Sequence, residues 1–254
     1  MSMPHPTART RTTVGSVIGE LMLTAGVLLL HFAFYESYWT NIASGKLQDE
    51  ANETLQEEWH NPRGAGHAPQ LGEAFARLYI PAFGSDFAFA VLEGTNEDDL
   101  LRGPGRYTDT QMPGEPGNFA VAGHRVGKGA PFNDLGNLHT CDAIVIETAT
   151  EWITYRVLPI DGSPGECFSP EQQAKAEYQP VQGRHITLPG DVSVLQPVPG
   201  AEGVEPSESL LTLTTCHPQF SNAERMIVHA METDREAKKP GSDDNDRPAV
   251  LEEN

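Results

Sequence analysis

Residues 211–216 read LTLTTC, and residues 225–231, beginning nine positions after that cysteine, read RMIVHAM. Both runs are rich in β-branched and aliphatic residues and are separated by HPQFSNAE, a breaker-rich stretch, so they read as two strands joined by a short loop. If they pair as a hairpin, Cys216 at the end of one strand comes beside Arg225 at the start of the next. His217 follows Cys216 directly, but successive strand side chains point to opposite faces. It therefore does not share the cysteine's face.

The same texture extends outward. ARLYIPAF, FAFAVLEG, NFAVAGH, AIVIETATEWITYRVLPI and HITLPGDVSVLQPV are short apolar runs punctuated by Gly, Pro, Asn and Asp, with a brief helical patch at residues 96–101. Together they predict a mostly β domain over residues 73–231, a closed or nearly closed barrel with short helices. Residues 162–183 (GSPGECFSPEQQAKAEYQPVQG) are too polar and breaker-rich for a core strand. They read as a long loop with a helical turn or two around residues 170–178, and loops of that length are often functional.

Residues 14–34 (VGSVIGELMLTAGVLLLHFAF) form an apolar stretch whose helical length, about 31 Å, covers a hydrocarbon core of about 30 Å. Arg9 and Arg11 precede it, and Tyr35, Tyr38 and Trp39 follow where interfacial aromatics belong. A single membrane-spanning helix is expected, with residues 1–13 in the cytoplasm and the rest outside the cell. Glu20 would cost roughly 2.5–3.5 kcal/mol at a helix centre, but it lies near the cytoplasmic end and can reach toward the headgroups. A cleaved signal peptide is the rival reading; HFAFYES offers no small-residue cleavage site, whereas NIASG does. Residues 35–72 are expected to form an extracellular stalk containing an exposed acidic helix. Residues 232–254, with much charge and little apolar content, are expected to be a disordered acidic tail.

Seventeen basic against 36 acidic residues give a net charge of −19, which argues against nucleic acid as a partner. No CxxC or HExxH occurs, and the nine histidines lack ligand spacing, so neither a metal nor a cofactor is implied. The chain has three cysteines. Outside the cell thiols tend to pair, which leaves one over. A cysteine nucleophile needs a base or cationic partner and an oxyanion donor. Cys216, Arg225 and His124, which closes the run NFAVAGH, supply the residue types.

Here the sequence resembles the sortases. TLTTC at residues 212–216, Arg225 nine positions later, and NFAVAGHR at residues 118–125 are similar to that family's nucleophile, arginine and histidine motifs. LYIPAFGSDFAFAVLEGT (78–95), LLRGPGRYTDTQMPGEPGNFAVAGHR (100–125) and FNDLGNL (132–138) follow the order found in class E members. The resemblance spans about residues 76–231 and implies a membrane-anchored cysteine transpeptidase. Cys216 would attack the Thr–Gly amide of a C-terminal sorting signal, His124 would protonate the leaving amine, and Arg225 would orient substrate and support the oxyanion. Thr215 and Tyr107 would contact substrate, Tyr107 favouring Leu-Ala-x-Thr-Gly (LAXTG) over Leu-Pro-x-Thr-Gly (LPXTG). The acyl group would pass to a peptidoglycan precursor amine; a pilin lysine, water, or binding without turnover are the alternatives. Against the family pattern, Cys141 stands where glycine usually precedes aspartate, and the 162–183 stretch is unusually long and contains Cys167. A Cys141–Cys167 disulfide tethering that loop is one expectation, two unpaired thiols the other.

Overall fold

The structure is a computed structural model that describes residues 13–60, 68–163, 165–238 and 247–253. Nine strands form one sheet: β1 (Ala74–Tyr79), β2 (Ala88–Glu93), β3 (Gly105–Arg106), β4 (Gly117–Ala122), β5 (Ala143–Glu147), β6 (Glu151–Val157), β7 (Arg184–Thr187), β8 (Ser209–His217) and β9 (Glu224–Ala237). Their order is β6-β5-β1-β2-β3-β4-β8-β9-β7, and β6 also pairs with β9. That pairing closes eight strands into a barrel and leaves β7 on the outside edge of β9. Alternate residues point inward to one core that includes Leu78, Val91, Phe119, Val121, Ile144, Ile153, Leu211, Leu213 and Val228.

Each run read as strand from the sequence contains a strand, but HITLPGDVSVLQPV is strand only to Thr187 and its residues Val192–Leu195 form a 3-10 helix; the patch at 96–101 is a short helix, α3 (Glu97–Arg102), capped by Asn96. The larger differences lie at the two ends of the chain. α1 (Val14–Phe34) is apolar and long enough to cross a membrane, and none of its residues is buried against the barrel. A π-helical turn (Tyr35–Trp39) leads from it into α2 (Thr40–His60). The expected exposed stalk helix is instead docked on the barrel. Ser44, Gln48, Ala51 and Leu55 form a buried stripe at helical spacing. The Gln48 amide accepts from the Ala90 N–H and donates to the Arg102 carbonyl, while the Ser44 hydroxyl donates to the Leu101 carbonyl. Trp59 packs under the Arg77 guanidinium and the Lys238 ammonium. This face escapes a hydropathy reading because half of it is polar, matched to backbone groups of β2 and α3.

The tail expected to be disordered from residue 232 also departs from its composition. β9 runs on to Ala237, pairing Tyr155 with Glu232 and Trp152 with Glu236. Backbone pairing holds this polar segment because β6 would otherwise present an open edge. Residues 247–253 return to the barrel: Val250 and Leu251 pack on the Tyr79, Val145 and Trp152 cluster, and Arg156 makes a two-pronged ion pair with Glu253 at 2.6 and 2.9 Å. Residues 1–12, 61–67, 164, 239–246 and 254 lie outside the described residues, including all but residue 13 of the expected cytoplasmic tail, with Arg9 and Arg11.

The long 162–183 loop carries α4 (Pro170–Ala174), begun by a capping box between Ser169 and Gln172. Cys141 and Cys167 are disulfide-bonded, and Phe168, Tyr178 and Val181 pack with Leu158, Leu210 and Met231 in a satellite core. Cys141 sits at φ 71°, in the left-handed region. A glycine adopts that conformation without strain, whereas a side chain pays roughly 1–2 kcal/mol. The residue therefore costs conformational energy in return for a tether. Replacing both cysteines by serine removes a link across 26 positions and is expected to lower stability by about 3 kcal/mol. Hydrogen exchange should show lost protection confined mainly to residues 165–183; unchanged exchange there would mean the satellite core alone holds the loop.

Candidate active site

Three strands carry the site. β4 runs parallel to β8, pairing Ala122 with Thr214, and β8 runs antiparallel to β9, pairing Cys216 with Arg225. Phe119 and Val121, Leu211 and Leu213, and Met226 and Val228 point into the core. The alternating residues therefore share the outer face, and these include Thr214, Cys216 and Arg225. Continuing β4 by two residues brings His124 beside Cys216. Thus Cys216 and Arg225 share one face of β8 and β9, and His124, just past the end of β4, borders the same cleft as Cys216.

Local packing explains the turn that holds His124. A Cβ on Gly123 would lie 2.5 Å from the Phe132 ring, so only glycine fits there. The Gly123 N–H donates to the Thr214 carbonyl at 3.1 Å, and its own carbonyl accepts from the Thr215 hydroxyl at 2.8 Å. The His124 carbonyl accepts from Phe132 N–H at 3.0 Å. The ring's Nε2 is shielded and has no hydrogen-bond partner among the described residues. Burial, with the nearby Lys128 charge, holds the His124 pKa below its ordinary value, while Glu97 opposes them weakly. The ring is therefore neutral at pH 7.

The remaining expected residues fall differently. Tyr107 reaches the same outer face, its hydroxyl 3.0 Å from the Thr214 hydroxyl, two residues before Cys216. Thr215 does not: it is buried, points away from the Cys216 face and is occupied by the Gly123 carbonyl. Alternation along the strand forces this, and it corrects the expectation that Thr215 contacts substrate. It positions the His124 turn instead. Arg225 lies opposite Cys216, but its guanidinium donates to the Asn222 and Glu224 carbonyls at 3.2 and 2.9 Å. Cys216 is the free cysteine and is half-buried.

Arg125 is a site residue that sequence reasoning quoted without assigning. It donates to the Cys216 carbonyl at 3.3 Å and to His217 Nδ1 at 2.7 Å, linking the loop after His124 to the end of β8. The signal was its adjacency to His124; its partners became visible only with β4 and β8 paired. A cleft of about 430 Å³ opens here, bordered by His124, Arg125, Cys216, Phe220 and, from α1, Phe32 and Ala33. A larger cavity, about 520 Å³, lies under the 162–183 loop and contains none of the expected catalytic residues. Among the described residues no group of three or more His, Cys, Asp or Glu side chains is placed to hold a metal ion.

On the same outer face, further down the strands and sealed under residues 194–196, lies a buried polar chain. Asn118 donates through Nδ2 to the Val194 and Gln196 carbonyls at 3.0 and 3.1 Å, so its Oδ1 accepts from the Thr212 hydroxyl at 2.6 Å. The Thr212 oxygen then accepts from His229 Nδ1 at 2.8 Å. Burial, helped slightly by the neighbouring His185 ring, pushes His229 down to about 3. His185 is also lowered by burial, with Asp191 opposing. Both histidines take up protons more readily unfolded than folded, so their contribution is complete above pH of about 6.5 and fades below it. The buried, neutral His229 should cost up to about 1.4 kcal/mol of stability per pH unit of acidification below that point, and the half-buried His185 acts in the same direction. Urea unfolding in neutral detergent at pH 7.5 and 5.5 measures this; His229→Gln should flatten the slope, and an equal slope in that variant would remove His229 as its source.

The sequence profile of the Sortase domain matches residues 78–233. The chain belongs to the sortase family. Sortase SrtE1 of Streptomyces coelicolor is 33% identical over 234 residues, which cover 89% of this chain; the chain spans only 59% of that protein's length. Among solved structures, the SrtF sortase from Corynebacterium diphtheriae is 57% identical with a TM-score of 0.69, covering 76% of this chain and 98% of that one. Sortase E1 of S. coelicolor with a tripeptide in its active site is 29% identical with a TM-score of 0.55, covering 72% of this chain and 99% of that one. This sortase is class E-like, and its barrel is the family's fold.

Proposed function

We propose that this sortase is a membrane-anchored transpeptidase that cleaves the Thr–Gly bond of an LAXTG- or LPXTG-type sorting signal through Cys216. The observation that carries the reading is that His124, two residues past β4, borders one cleft with Cys216, which pairs with Arg225 across β8 and β9. As the Cys216 sulfur attacks the threonine carbonyl carbon, its proton passes to His124, which is neutral at pH 7. His124 then delivers that proton to the glycine nitrogen as the C–N bond breaks, leaving a thioester and a free amine. A peptidoglycan precursor amine attacks the thioester, returns the thiol and forms a new amide. Arg225 supports the oxyanion once its guanidinium swings from the Asn222 and Glu224 carbonyls, a rotation about side-chain bonds only. Tyr107, fixed beside Thr214, borders the Ala or Pro position two residues before the scissile threonine. α1 holds the catalytic domain at the outer face of the cell membrane, its N-terminus inside.

Intact-mass spectrometry with a Leu-Ala-x-Thr-Gly peptide tests this. An adduct equal to the acyl fragment on Cys216, cleared by an added amine into a ligated peptide, is the expected result. No adduct with this peptide or its Leu-Pro counterpart would overturn the sorting-signal assignment. Clearance by water at the same rate with or without amine would make the protein a hydrolase.

A further inference from the structure

We propose that the catalytic cleft opens at the lipid surface itself, with the β8–β9 loop and the turn after β7 resting in the outer headgroup layer. This rests on reading α1 as the membrane span. Phe32 lies about 27 Å along the helix from Val14, at the outer edge of a hydrocarbon core of about 30 Å. Phe32 and Ala33 nevertheless border the same cleft as His124 and Cys216. The stacked pair Phe34 and Tyr38, with exposed Tyr35 and Trp39, marks the interface one turn further on.

The barrel is not free to swing away from this position. α2 follows α1 through a helical turn, and its first residues grip the loop that follows His124. The Lys128 N–H donates to the Thr40 hydroxyl at 3.2 Å and the Gly129 N–H to Asn41 Oδ1 at 3.0 Å. Thr40 is only about 9 Å along the helix from Phe34. The Ser44 and Gln48 anchors and the buried Ala51 and Leu55 extend the attachment. The height of the cleft above the bilayer is therefore set by about two helical turns.

The barrel's own surface agrees. Outside residues 14–60, six large apolar side chains are exposed among the described residues: Leu71, Ile186, Leu188, Val192, Val204 and Phe220. Four of these lie on β7, on the turn after it, or on the β8–β9 loop. Ile186 pairs with Met226 and Thr187 with Arg225, so Leu188, the next residue, comes level with the end of β8. Phe220, at the tip of the β8–β9 loop, is 82% exposed and borders the cleft beside Phe32. Scattered apolar residues are ordinary on a surface, but an exposed phenylalanine bordering the cleft beside a membrane helix, with Leu188 level with the end of β8, matches the chemistry of a lipid interface. A substrate would then present its scissile amide a few ångströms above the bilayer.

Depth measurement on the full chain in phosphatidylcholine–phosphatidylglycerol vesicles decides this. With Cys216→Ala removing the free thiol, single cysteines at Phe220, Leu188, Tyr35 and Glu202 would carry an environment-sensitive nitrobenzoxadiazole dye. Glu202 is the distant control, in the loop entering β8 at Ser209, about 23 Å from Cys216 along the strand. Lipids bearing a shallow nitroxide should quench at least about half the emission at Phe220, Leu188 and Tyr35, and little at Glu202. Quenching at Tyr35 but at neither Phe220 nor Leu188 would overturn the proposal while leaving the anchor intact. An unquenched Tyr35 would remove the anchor and the proposal with it. Equal quenching at all four sites would mean the barrel lies on the membrane without a preferred face, which also overturns it.

Discussion

A Cys216→Ala chain binds the sorting peptide with nearly unchanged affinity and turns it over at least about a thousandfold more slowly, because truncating a nucleophile removes the covalent route entirely. The geometry makes this separable. Cys216 is half-buried at the end of β8 and its carbonyl, not its sulfur, carries the bond from Arg125. Alanine keeps that backbone contact and the pairing with Arg225, so the cleft survives the change. His124→Ala should lose a comparable factor without additivity in the double variant, since the two groups pass one proton between them. Stopped assays with a quenched fluorescent peptide measure the rates, and peptide anisotropy measures the affinity. Turnover within tenfold of the native chain would place the nucleophile elsewhere. Lost affinity together with lost turnover would mean that Cys216 supports the cleft rather than the chemistry.

Arg106→Met is expected to cost about 3–5 kcal/mol of stability, the usual consequence of stranding one member of a buried ion pair. Arg106 donates from Nε and Nη2 to the two Glu93 oxygens, both at 2.7 Å, and its third arm reaches the Thr110 carbonyl. Both side chains are buried. They join β2 to β3, a strand of only two residues whose next position is Tyr107, so the pair supplies order that backbone pairing there cannot. Pairing Arg106→Met with Glu93→Leu should recover much of the loss, because no charge is then left without a partner. Chemical unfolding of the four proteins completes the cycle. A single variant losing under about 1 kcal/mol would show that water reaches Glu93 and that the pair is not sealed.

How much of this was legible beforehand differs from residue to residue. The β8–β9 pairing followed from two apolar runs with a short breaker loop between them, and period-2 alternation correctly kept His217 off the Cys216 face. The same alternation, applied to Thr215, would have excluded it as a substrate contact. A helical turn inside the 162–183 loop was legible, although α4 ends at Ala174 rather than near residue 178. The docked α2 was hidden because its buried face uses Gln and Ser against backbone groups, which hydropathy counts as exposed. The ordering of residues 232–237 was hidden because a ladder, not apolar burial, holds them, and a ladder depends on a partner strand some eighty positions away. Arg125 had no signal beyond its neighbour.

By itself, then, the amino-acid order determined the strands, the apolar N-terminal helix, the family and the residue types able to do thiol chemistry, because these depend on local periodicity and short motifs. Only the tertiary structure decided which side chains share a face, that Arg225 is held by loop carbonyls, that Cys141 meets Cys167, and that α1 borders the catalytic cleft. Each of those is a register or a docking between segments far apart in the chain, and no local pattern encodes the distance between them.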